Sequence, residues 1–176
     1  MGTLVLLAAL IHPNVGPPLR AIGAFYFDAL NQSQVWVDLD PLSKEGPSPV
    51  RLNFTIAFKG RTLTGPPKTA TIRASSSMMA NPLRVRIPVL RFHLADDTII
   101  DLTTPDRVYQ FTASCENCSS DTLVTDLPFR DLQVIAQSSV VSVDAMGFDV
   151  RLVPDDMAAI RKLIDAVADG AKLADH

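Results

Sequence analysis

Proline and glycine interrupt this 176-residue chain at short intervals, and they limit the length of any regular element before the C-terminus. The chain contains 13 prolines. Turn-forming clusters include residues 46–49 (GPSP), 65–67 (GPP) and 104–106 (TPD). Proline lacks a backbone donor and disrupts helices and central strands, while glycine and aspartate favour tight turns. The spacing therefore predicts many short segments and excludes long helices from most of the chain.

The segments between these turns show the period-two pattern of β-strands. In residues 51–58 (RLNFTIAF), apolar residues occupy alternate positions: Leu52, Phe54, Ile56 and Phe58. Successive side chains of a strand point to opposite faces of a sheet, so this segment is predicted to have one buried and one solvent-facing side. The alternation recurs in residues 35–40 and 148–152, and residues 68–75 form a weaker strand. Residues 24–27 (AFYF) are apolar on both faces, which favours a central strand.

The apolar phase reverses within residues 83–94 (LRVRIPVLRFHL). Odd-numbered positions are apolar up to Val89, and even-numbered positions are apolar from Leu90. A one-residue shift turns every side chain to the other face, so one straight strand cannot satisfy both halves. Pro88 is also tolerated mainly at edges and bulges. We expect a bend or bulge at Pro88, followed by a hairpin turn at residues 95–98.

A helical pattern occupies residues 154–169 near the C-terminus. Its apolar positions follow the helical repeat: Met157, Ile160, Leu163, Ile164 and Val167. Pro154 suits the first helical position, and Asp155 and Asp156 complement the dipole there. A shorter helix is expected at residues 128–137. With about eight to ten short strands, this pattern predicts a mainly β fold, a β-sandwich or an open barrel, capped by a C-terminal amphipathic helix.

Residues 1–16 resemble a signal peptide in one respect. Residues 3–11 form a run of nine without a charge, eight of them apolar, which is the length of a signal-peptide core and too short to span a bilayer. The alternative is a buried N-terminal strand or helix. We expect residues 17–176 to form a single β-rich domain that is periplasmic or secreted.

The composition narrows the classes of partner. With 16 basic and 19 acidic residues, the chain has no overall attraction for nucleic acid. No apolar run reaches the roughly 20 residues of a membrane-spanning helix, so no integral membrane span is expected. The chain also lacks the sequence motifs of serine hydrolases, zinc proteases, P-loop proteins and dinucleotide-binding proteins. This absence favours a non-enzymatic protein without a cofactor.

The only two cysteines, Cys115 and Cys118, form a single C-x-x-C motif. In an exported protein this pair favours a local disulfide that closes a short loop. A redox site needs the first cysteine at a helix N-terminus, whereas strand-like segments flank this motif. A zinc site needs further ligands, and His93 is the one histidine away from the chain ends. We predict a Cys115–Cys118 disulfide, with two unpaired structural thiols, or a metal or redox centre, as the alternatives.

Trp36 is the only tryptophan, and it faces away from the apolar positions of its own strand. An aromatic ring beside carboxylates is a frequent device for recognising sugars or partner proteins. Burial of the ring beneath another element, such as the C-terminal helix, is the favoured interpretation. Arginines of residues 83–94, together with Arg73, are candidates for an anion-binding patch, but the pattern favours a solvated strand face whose charges discourage edge pairing. The candidate binding surface comprises Trp36, Asp38, Asp40, Arg84, Arg86 and Arg91.

The leading functional hypothesis is a non-enzymatic binding or structural module in an extracytoplasmic compartment, with an unidentified protein or carbohydrate partner. It rests on clear fold signals and on the absence of catalytic motifs. Two alternatives stay open at this point. One is a metal-binding or redox protein centred on the C-x-x-C motif, and the other is a subunit of an assembly that pairs through an edge strand within residues 83–94.

Overall fold

The computed structural model describes residues 20, 22–43, 46–47, 50–79, 89–103, 108–115 and 118–168. For residues 43, 46–47, 77–79, 108–115 and 118–121, the description is of the backbone alone. The signal-like residues 1–16, the arginines Arg84 and Arg86, and the bend expected at Pro88 lie outside the described residues.

Twelve strands and two helices make up most of the described residues. The strands are β1 (Ile22–Phe27), β2 (Gln32–Leu39), β3 (Leu42–Ser43), β4 (Gly46–Pro47), β5 (Val50–Lys59), β6 (Thr69–Met79), β7 (Leu90–Leu94), β8 (Ile99–Asp101), β9 (Val108–Cys115), β10 (Cys118–Pro128), β11 (Val141–Ala145) and β12 (Phe148–Leu152). The helices are α1 (Phe129–Gln137) and α2 (Pro154–Ala168). The strands outnumber the expected eight to ten because β3 and β4 are segments of only two residues each.

The strands form two antiparallel sheets of six strands each. The first sheet has the order β1-β2-β5-β6-β10-β9, and the second has the order β4-β3-β12-β11-β7-β8. Their apolar faces share one core cluster, in which the ring centroids of Phe54 on β5 and Phe92 on β7 lie 6.3 Å apart. The predicted mainly β, sandwich-like fold with a C-terminal helix is therefore confirmed.

Local patterning predicts individual strands correctly. In β5, Leu52, Phe54 and Ile56 are fully buried, while the alternating residues face outward. In β7, the buried residues are the even-numbered ones, as the second half of the phase reversal predicts. The hairpin turn at residues 95–98 is also confirmed, because the Leu94 N–H donates to the Thr98 carbonyl at 2.9 Å.

The prediction that residues 24–27 form a central strand is wrong for the strands that the structure describes. Among these, β1 stands at the edge of the first sheet and pairs only with β2. Ile22 and Ala24 pack against the core, whereas Phe25 and Phe27 contact each other on the other side, with ring centroids 4.3 Å apart. The strand is apolar on both faces because one face joins the core and the other is an aromatic outer surface.

Helix α2 packs against β1, β2, β12 and α1. Its buried residues include Met157, Ile160, Leu163 and Val167, as the helical repeat predicts, while Ile164 is half-buried. These side chains belong to the same core cluster as the inner residues of β2. The helix thus packs on the core side of β2 and does not cover Trp36, which lies on the opposite face of that strand.

Asp156 in the first turn of α2 has a role beyond the helix dipole. Its Oδ2 accepts the Val153 N–H at 3.0 Å, so the side chain caps its own helix. Arg20 Nε lies 2.7 Å from Oδ1, and Arg20 Nη2 donates to the Asp40 carbonyl at 2.9 Å. Burial raises the pKa of Asp156, although the Val153 N–H and Arg20 act in the opposite direction. Arg20 therefore ties the start of α2 to the end of β2.

Candidate functional site

The strands β1, β2, β5 and β6 turn their non-core residues to one outer surface. In the strand register, Gly23 lies opposite Trp36. In the neighbouring row, Asp38 lies opposite Asn53, and Asn53 lies opposite Arg73. Directly opposite residues share a face of the sheet, so antiparallel pairing brings these side chains together although they are far apart in sequence.

These side chains border an open cavity of about 460 Å³ on the outer face of the first sheet. The volume lies within the range of small-ligand sites, roughly 300–1,000 Å³. Three features make up the lining: an aromatic end on β1 and β2, a polar ridge across β2 and β5, and a cationic end on β5 and β6. The cavity therefore has an aromatic side over β1 and β2 and a cationic side over β5 and β6.

The aromatic end consists of Phe25, Phe27 and Trp36, all of them half-buried. The indole occupies the space above Gly23, because a Cβ atom at that position would overlap Cε2 and Cζ2 of Trp36. Glycine is thus required for this close approach. The three rings together form an apolar wall that remains open to solvent.

The polar ridge consists of Asp38, Asn53 and Thr55. Asn53 Nδ2 donates to Asp38 Oδ1 at 2.9 Å, and Thr55 Oγ1 donates to Asn53 Oδ1 at 2.7 Å. Each of these bonds restricts the orientation of the next side chain. The ridge therefore presents its polar groups in a preorganised arrangement beside the aromatic wall.

The cationic end contains Arg51 and Arg73, with Ser75 directly opposite Arg51. Arg51 Nε lies 3.4 Å from Asp40 Oδ1, and the Arg51 side chain is 80% exposed. Arg73 is exposed and has no ion pair or side-chain hydrogen bond within the part of the chain that the structure describes. One guanidinium is thus paired, and the other faces solvent at the cavity.

The sequence-predicted surface divides into separate regions. Trp36 and Asp38 line the cavity, whereas Asp40 lies outside it and contacts Arg20 and Arg51. Arg91 lies on β7 of the second sheet, where its Nε is 2.8 Å from Asp101 Oδ2. Hydrogen bonding from Thr103, together with Arg91, holds the pKa of Asp101 below its usual value. Arg91 therefore belongs to a different surface from Trp36.

Sequence reasoning missed the cavity residues Phe25, Phe27, Gln34, Arg51, Asn53, Thr55 and Ser75. The pattern does show that the non-core positions of residues 51–58 share a face. It does not show which strands lie beside β2. Only the strand order and register place these residues next to Trp36.

The backbone register places Cys115 directly opposite Cys118 where β9 meets β10 in the first sheet. The disulfide between them stays a prediction. His93 lies on β7 of the second sheet, opposite Ile99 and Ser142. Within the described residues, no group of three or more His, Cys, Asp or Glu side chains is arranged to hold a metal ion.

Comparison with protein-family models, with curated proteins and with solved structures finds no match to this chain. Neither helix in the described part of the chain has the length and apolar character needed to cross a bilayer. Function is therefore inferred from the geometry and chemistry of the cavity.

Proposed function

We propose that this protein is a non-enzymatic binding module that holds a carbohydrate in the cavity beside Trp36. The supporting observation is an aromatic wall next to a hydrogen-bonded polar ridge in one open cavity of about 460 Å³. A sugar ring has an apolar face of C–H groups and a rim of hydroxyl groups. The apolar face packs on aromatic rings such as Trp36, and the hydroxyl groups bond to carboxylate and amide groups such as those of Asp38 and Asn53.

The shape and polarity of the cavity favour a carbohydrate over the other ligand classes. A stable protein interface buries about 800 Å² on each partner, over a much broader surface than a single concave cavity. Apolar small molecules favour sites lined mainly by apolar side chains. Here three of the ten lining residues are aromatic and seven are polar. This mixture matches the amphipathic character of a sugar.

The proposal is tested by the substitution Trp36→Ala. Wild-type protein and the variant are screened on immobilised glycans, and affinities for the glycans that bind are measured by titration calorimetry. Loss of a central aromatic contact is expected to weaken binding at least about tenfold. The control is Ile99→Ala, which truncates an exposed apolar side chain on β8 of the second sheet. Its affinity should match that of the wild type.

Two outcomes would contradict the proposal. One is a folded wild-type protein that binds no glycan. The other is a Trp36→Ala variant that binds glycans as tightly as the wild type, which would place the site elsewhere. Binding to a partner protein without any glycan binding would favour the protein-binding alternative.

We also propose that the protein works outside the cytoplasm, in the periplasm or as a secreted protein. Two features of the sequence support this location: the apolar run at residues 3–11 and the C-x-x-C pair Cys115 and Cys118. Intact mass after native expression, with thiol alkylation before and after reduction, tests it. We expect loss of the N-terminal segment and two protected thiols. An uncleaved chain with two free thiols would contradict export.

A further inference from the structure

We infer that the carbohydrate bound in this cavity is acidic, with a carboxylate that pairs with Arg73. The inference rests on the carbohydrate-binding proposal and specifies the class of sugar. It follows from the charge of the cavity, from the hydrogen bonds already made around Arg73, and from the separation between Arg73 and Trp36.

The lining of the cavity contains two cationic side chains and one anionic side chain. These residues are Arg51, Arg73 and Asp38. Asp40 already pairs with Arg51, and Asp38 Oδ1 accepts the Asn53 amide. Among the described residues, Arg73 is therefore the cation at the cavity without an ion-pair partner, while Asp38 keeps its negative charge on β2, two strands away. A guanidinium is suited to bidentate pairing with a carboxylate.

The neighbours of Arg73 in the sheet do not satisfy its donors. On one side it faces Asn53, whose side chain already donates to Asp38 and accepts from Thr55. On the other side it faces Val124, which has no polar side-chain atom. The Ser75 hydroxyl, two residues along the same face, adds a further donor at the cavity. An external anion is the complement to this group of donors.

The separation between the two ends of the cavity indicates the size of the ligand. Arg73 on β6 is two strands away from Trp36 on β2, and it is offset from Trp36 by two residues along the strand direction. Strand spacing and rise per residue place their Cα atoms roughly 12 Å apart. Both side chains line the cavity. This spacing fits a sugar ring on Trp36 linked to a second unit whose carboxylate reaches Arg73, as in an oligosaccharide that contains uronic acid.

The test compares uronic acid oligosaccharides with their neutral, carboxyl-reduced counterparts by titration calorimetry. The probes are short oligomers of galacturonic, glucuronic and mannuronic acid. For at least one of them, we expect the acidic form to bind about tenfold more tightly at low salt, because charge-assisted hydrogen bonds are stronger than neutral ones. Arg73→Gln should remove this preference, so that the acidic form binds no more tightly than its neutral counterpart. The matched control is Arg151→Gln, at an exposed arginine on β12 of the second sheet; it should keep the preference.

The outcomes separate this inference from the proposal on which it rests. Equal affinity for acidic and neutral forms would overturn the acidic ligand and leave carbohydrate binding in place. An acid preference that persists in Arg73→Gln would overturn the role of Arg73. Failure of the folded wild-type protein to bind either form, or any neutral glycan, would overturn both. Binding of an acidic peptide such as polyglutamate, without any saccharide, would indicate a protein ligand instead.

Discussion

The two faces of the first sheet use the same strands but differ in how their side chains are packed. On the inner face, Leu52, Phe54 and Ile56 have no exposed area. On the outer face, Trp36 and Phe25 are half-buried and border an open cavity. Tightly packed side chains stabilise the fold, whereas aromatic side chains left open to solvent are available for recognition. Substitutions on the inner face should therefore change stability, and those on the outer face should change binding.

The largest expected effect is on the inner face, at Phe54. This side chain is fully buried and packs near Phe92 of the second sheet, so Phe54→Ala would leave a cavity between the sheets. We expect a loss of about 3–5 kcal/mol in the free energy of unfolding, measured in urea. The adjacent outer residue gives a matched control, since Thr55→Ala should lower the free energy of unfolding by less than about 1 kcal/mol. Equal losses at the two positions would contradict the division between faces.

A second effect is expected at Asp156, which is a fully buried carboxylate on the core side of the first sheet. Asp156→Ala would remove the carboxylate that pairs with Nε of Arg20, whose side chain is 18% exposed, and that accepts the Val153 N–H. We expect a loss of about 2 kcal/mol in the free energy of unfolding. Asp155→Ala is the control, because Asp155 is exposed in the same helical turn and should contribute less than about 1 kcal/mol. Similar losses for both variants would mean that Asp156 acts only through the helix dipole.

The pH dependence of stability also reports on Asp156. Burial raises its pKa above the usual 3.8, so the folded protein binds this proton more tightly than the unfolded chain does. The contribution of Asp156 to stability is therefore greatest below pH 3.8 and falls as the pH rises through its folded pKa. Asp156→Asn should remove this contribution. Unfolding in urea from pH 3 to 7 should show the wild type losing stability relative to Asp156→Asn as the pH rises, and parallel curves would contradict the raised pKa.

The elements that sequence predicts well are those that depend on nearby residues. The period-two pattern identifies β5 because each side chain alternates with its immediate neighbours. Helix α2 is predicted for the same reason, since its apolar stripe and Pro154 lie within one segment. The hairpin between β7 and β8 follows from a short turn whose residues are adjacent in sequence. In these cases the pattern and the structure it predicts belong to the same few residues.

The cavity could not be predicted in the same way because it depends on strand order. Trp36 and Arg73 share one surface only because β5 lies between their strands. Residues 24–27 illustrate the difficulty, because two apolar faces fit a central strand as well as an edge strand with an aromatic outer surface. Asp156 is similar, since it pairs with Arg20, which is distant in sequence. Local pattern does not determine such contacts.

The smallest expected effect on stability is at Gly23, and it tests whether the indole of Trp36 is held in place. The backbone at Gly23 does not require a positive φ, so Gly23→Ala is free of backbone strain. In a strand, alanine is favoured over glycine by about 0.5–1 kcal/mol. With Trp36 present, however, the new Cβ would overlap the indole and displace it. We expect Gly23→Ala to be neutral or destabilising in the wild type, and to weaken glycan binding.

The same substitution is then made in the Trp36→Ala variant, which has no indole for the new Cβ to overlap. There, Gly23→Ala should stabilise the protein by about 0.5–1 kcal/mol, because only the strand preference for alanine remains. A double-mutant cycle in urea measures this change of sign directly. If Gly23→Ala had the same effect in both backgrounds, the indole would not be seated on Gly23. The aromatic end of the cavity would then lack a fixed wall, and its contribution to binding would require ordering of Trp36 by the ligand.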